Sequence, residues 1–97
     1  MKASNKPVVV CTEHRGVFFG YVPDNHNMEA RRITLSKARM CVYWSQDVRG
    51  VLGLAGNGPT PSCRIGPAVP AISLNGVTAV MSASGTATIA WEQGYWA

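Results

Sequence analysis

At 97 residues, 46% apolar and 14% charged, the chain has material for one modest core, and its charge content is well under the usual quarter. The formal charge of +4 favours an anionic partner, yet without a dense Lys/Arg run or a basic helix it argues against general duplex binding. No apolar run approaches the 18 residues a membrane span needs, and the polar start MKASNKP has no apolar core of a secretory leader.

Residues 1–6 read as a flexible arm and 7–97 as a single domain. Pro7 leads into Val8-Val9-Val10-Cys11-Thr12, a β-branched run typical of a buried strand, and Val17 to Val22 is a second strand forming a hairpin with it. Pro23 to Asn27 is turn chemistry. Arg31 to Leu35 alternates as a third strand, Ser36 to Arg39 reads as a brief turn, and Met40 to Trp44 as a fourth strand. A short helix is predicted from about Val48 to Ala55, capped by Ser45 or Asp47 and ended by Gly56 or Gly58. Four prolines (Pro59, Pro61, Pro67 and Pro70) make the next stretch extended, with a short strand around Cys63–Ile65. Ile72 to Leu74 and Val77 to Met81, split by Asn75-Gly76, read as two β segments or as one strand with a bend. Ser82 or Ser84 caps a closing helix through about Gln93, with Ala87, Ile89, Ala90 and Trp91 as its apolar side. The sum is an α+β protein: a small curled antiparallel sheet or open barrel, a short central helix and a C-terminal helix.

Charge is unevenly placed. Seven of the nine Lys/Arg precede residue 40, and from Ile65 to Ala97 only Glu92 is charged, which predicts that part of this surface is covered by another copy in a homo-oligomer. Cys11, Cys41 and Cys63 lack metal-ligand spacing, so no metal site is expected, and free, mostly buried thiols fit a reducing cytoplasm.

Function concentrates in the Gly/Pro-rich stretch 43–70. Arg49, Arg64 and Arg39 flank it, and Arg15 sits at a hairpin tip that can approach it. Arginine forks grip phosphate bidentately, Trp44 offers a stacking platform, and Asn57, Thr60 and Ser62 can orient a ligand. The competing reading makes the aromatics core and the arginines surface pairs. GLAGNGPTPS lacks the Gly-Lys-Ser/Thr ending of a nucleotide-hydrolysing loop. The five carboxylates are scattered, and neither His14 nor His26 has an orienting partner for a cysteine nucleophile. The chain therefore reads as a binding protein, with no catalytic residues and no cofactor.

The phrases TEHRGVFFGYV (12–22), ITLSKARMCVYW (33–44) and DVRGVLGLAGNGP (47–59) resemble an uncharacterised family of small phage and prophage proteins. That resemblance implies a structural, regulatory or host-defence-countering role in the host cell cytoplasm. Among small phage proteins are sponges that sequester nucleotide immune signals. By analogy the expected function is a homo-oligomer holding a small anionic ligand such as a nucleotide immune signal. The alternative is an interaction or assembly module, such as an inhibitor of a host protein or a minor virion component, with no small ligand.

Overall fold

The computed structural model describes residues 5–13, 16–23, 31–44, 50–61 and 63–94. Strands β1 (Asn5–Thr12), β2 (Val17–Pro23) and β3 (Ile33–Tyr43) are followed by helix α1 (Gly50–Gly56). Then come β4 (Arg64–Ile65), β5 (Val69–Leu74), β6 (Val77–Ser82) and helix α2 (Gly85–Gln93). One six-stranded antiparallel sheet runs β4-β3-β2-β1-β6, with β5 pairing the other half of β3. The fold is α+β, with a curled sheet that does not close. β1 begins earlier than the sequence indicates, so Asn5 and Lys6 belong to the strand. Helix caps at Ser45 or Asp47 and the positions of Tyr95 and Trp96 lie outside the described residues.

The expected turn at Ser36–Arg39 is instead a bulge inside one 11-residue strand. Phe19 pairs Arg39 while Tyr21 pairs Ser36, so β3 carries one residue more than β2 across this step. Lys37 absorbs the extra residue with φ of 51°. The bulge flips the alternation: Ile33 and Leu35 are buried before it, Ala38 after it, all in the same cluster. A break in phase looks like a turn in sequence, although the strand continues.

Asn75-Gly76 resembles a hairpin, but the strands it joins take different partners. β5 pairs β3 and β6 pairs β1. A two-residue link spans at most about 11 Å, so the sheet must curl until its two edges meet there. Val77 N donates to Arg31 O and Glu13 N to Gly76 O, each at 3.0 Å, and Arg31 pairs with Glu13 at 3.4 Å to hold the corner. Gly20 permits the curl, since a Cβ there would lie 2.6 Å from the Leu35 Cβ.

Both faces of the central strands β1 and β2 are consequently covered. Val8 and Val10 point into the curl with Val22, Leu35, Leu74 and Val77. Val9, Phe19 and Cys41 point the other way, against Leu54 and Ala55 of α1 and Ala87 and Trp91 of α2. Ser84 caps α2, accepting from Ala87 N at 3.0 Å. Ile89, expected on the apolar side of that helix, is 62% exposed, because nine residues pack on a narrow stripe through Ala87 and Trp91.

Candidate functional site

Within the stretch 43–70, residues 53–58 form a clasp between the two helices. The last carbonyls of α1 have no partner within the helix. They are taken up from α2: Trp91 Nε1 donates to Leu54 O (3.0 Å), Ser84 N to Ala55 O (2.9 Å) and Ser84 Oγ to Gly56 O (2.6 Å). Asn57 N and Gly58 N both return to Gly53 O. The glycines of GLAGNG thus end a helix and admit its neighbour.

Of the predicted site residues, Arg39, Trp44, Asn57, Thr60 and Arg64 are among the described ones. Asn57 is exposed on this clasp. The backbone N–H of Thr60 is 3.4 Å from Cys63 Sγ and its hydroxyl 3.7 Å from the same sulfur. Trp44 is half-buried against the core cluster of the helix face. Arg64 is exposed on β4, directly opposite Tyr43. Arg15, Arg49 and Ser62 lie outside the described residues.

Arg39 is engaged by the backbone. Its Nε donates to Gly66 O at 2.8 Å, and its Nη1 to Glu92 O at 3.0 Å and Trp91 O at 3.5 Å. A guanidinium at the end of α2 satisfies orphan carbonyls and complements the helix dipole. It also ties the helix to β3 and to the Gly66 bend.

Beside it, the Tyr21 hydroxyl donates to Glu92 Oε2 at 2.5 Å in a cleft shared with Lys37. Burial, then the bond to Glu92 and its charge, push the Tyr21 phenol up to about 12. Burial, and secondarily the Cys63 thiol, raise Cys41 to about 12 as well. Both groups hold their protons in the folded state at pH values where the unfolded chain gives them up. Stability is therefore whole below the unfolded values and falls as pH climbs from about 9–10 towards 12. Denaturant titrations across this range should show that fall, with a shallower slope in Tyr21→Phe; an unchanged slope would remove Tyr21 from the account.

The opposite face of β3 opens an apolar groove of about 360 Å³, lined by Phe18, Met40, Val42, Pro67, Val69 and Ile72 among others. Met40, Val42 and Val69 are 43%, 52% and 41% exposed. Across the strands, register places Val80, Val10, Phe18 and Met40 in one row leading into it. Sequence reasoning missed these residues. In ARMCVY both phases are apolar, and only the bulge decides that Met40 and Val42 face outward while Cys41 is buried.

Residues 5–91 match the model of a family described as a domain of unknown function (DUF6948). No curated protein and no solved structure matches the chain.

Proposed function

The chain belongs to this family, DUF6948, and we propose that it is a non-catalytic, self-associating interaction module whose apolar groove is the contact between copies. One observation carries the reading: three large side chains, Met40, Val42 and Val69, stand exposed together in a groove lined also by Phe18, Pro67 and Ile72, with Arg39 as its charged member. Exposed apolar side chains gathered in one place mark an interaction surface, whereas scattered ones are ordinary. The occupant is a second copy because the residues beside the groove in sequence, from Ile65 to Trp91, carry no charge. Two identical faces then meet with few like charges to oppose, in spite of a net charge of +4, because the Arg39 guanidinium at the groove is turned to the Gly66, Trp91 and Glu92 carbonyls. The phage or prophage origin implied by the quoted phrases, and a cytoplasmic site of action that keeps three cysteines as thiols, belong to the same reading.

Equilibrium sedimentation tests it. The protein should be a dimer or higher oligomer, and Met40→Asp should release monomers with little change in melting temperature, since Met40 is already 43% exposed. Val42→Lys, at a second exposed position, guards against a variant that fails to fold. A monomeric parent protein, or oligomers that survive both changes, would refute the assignment.

A second reading, sequestration of a nucleotide signal, is favoured by the cross-strand pair of Tyr43 and Arg64, an exposed aromatic beside an exposed guanidinium. Native mass spectrometry of protein purified from a host in defence signalling would show an adduct of nucleotide mass under this reading, lost in Arg64→Glu.

A further inference from the structure

The start of β3 and the end of β5 carry a polar cluster on the sheet face opposite the buried Ile33, Leu35 and Leu74. Thr34 pairs Ser73 directly, and the same register continued by one residue sets Arg32 against Asn75. Strand alternation puts Thr34 and Ser73 on one face, and Arg32 and Asn75 flank them just beyond the strand ends. Together with Pro23, and with Ile33 and Leu74 between them, they line a cavity of about 490 Å³.

The chemistry of this lining is one-sided. Thr34 Oγ1 and Ser73 Oγ lie 3.1 Å apart, so one hydroxyl proton serves their mutual bond and the other remains to donate outward. Asn75 adds an amide and Arg32 a guanidinium. Among the described residues no carboxylate lines the cavity. The neighbouring Arg31 is paired with Glu13, while Arg32 has no ion pair with any described residue. A cation and several donors converging here suit a ligand with several acceptor oxygens and negative charge. The volume falls within the range of small-molecule sites and exceeds what an oxyanion alone would fill.

The geometry points to a binding site for a phosphate-bearing small molecule, with its phosphate on Arg32 and the Thr34–Ser73 hydroxyl pair and its remaining atoms against Pro23. Asn75 orients the phosphate from the side. The site is built on paired strands and lies apart from the apolar groove and from the 53–58 clasp.

Amide NMR titrations of the full chain at low salt test it, with inorganic phosphate and AMP as parallel probes. Saturable shifts centred on residues 32–34 and 73–75 are expected, weakened about tenfold or more by Arg32→Gln. Thr34→Val, which keeps a β-branched strand residue and removes the hydroxyl, should weaken binding several-fold. Tighter binding of AMP than of phosphate would show that the cavity seats the organic part; equal binding would show that the phosphate group alone is read. Met40→Asp should bind both probes as the parent does, so the outcome stands independently of self-association. The site is overturned if neither probe saturates by about 10 mM, or if Arg32→Gln binds unchanged.

Discussion

Gly58→Ala is expected to destabilise the protein by about 2–4 kcal/mol, while Gly56→Ala two residues earlier leaves stability unchanged or slightly raised. Gly58 has φ of +86°, and a Cβ there would lie 2.7 Å from Ala90 Cβ, 2.9 Å from Ala87 Cα and 3.0 Å from Ala87 O. Two of these three neighbours are backbone atoms of α2, so no side-chain rotation relieves them. The left-handed conformation costs an alanine about 1–2 kcal/mol, and overpacking adds a similar amount. At Gly56 the backbone is helical and an added Cβ meets nothing within 4 Å. Thermal unfolding followed by circular dichroism should separate the two variants by roughly 10–25 °C for a domain of this size. Equal melting temperatures would mean that α2 does not rest on Gly58, and the clasp between the helices would have to be redrawn.

Much of the fold is legible from local chemistry. The β-branched run Val8–Val10, the Val17–Val22 segment and Ser84 ahead of an apolar stripe each announce their element within a few residues. What local chemistry cannot announce is which strands become neighbours. Asn75-Gly76 has the composition of a hairpin turn, yet the curl of the sheet sends β5 and β6 to different partners. The Ser36–Arg39 break reads as a turn because alternation changes phase there, and only pairing with β2 reveals an uninterrupted strand.

The same division applies to function. Arg39 looks available in sequence, but it bonds carbonyls of a helix that begins 46 residues later, a contact no spacing discloses. The glycines of 53–58 suit an anion cradle and a helix terminus equally well, and the choice depends on α2 arriving beside them. Conversely, the quartet at Arg32, Thr34, Ser73 and Asn75 is assembled by register between distant strands. Neither half has a recognisable motif of its own.

Trp91→Ala should be the most damaging single truncation among the described residues, at about 3–5 kcal/mol. The indole is fully buried, stacks on Phe19 with ring centroids 5.3 Å apart, and donates to Leu54 O at 3.0 Å. Truncation removes the largest side chain of the helix-face core and leaves a buried carbonyl of α1 without its donor. Trp91→Phe separates the two effects. It keeps most of the stacking and loses the N–H, so its cost should be nearer 1–3 kcal/mol, that of an unsatisfied buried acceptor. Urea denaturation gives both values, with the slope checking that each variant unfolds in one step. Against a total stability of about 5–15 kcal/mol, the alanine variant should show an appreciable unfolded population at 37 °C. A phenylalanine variant as unstable as alanine would move the weight from packing to the bond with Leu54. That result would make the helix-to-helix hydrogen bonding, rather than the stacked rings, what holds α1 on the sheet.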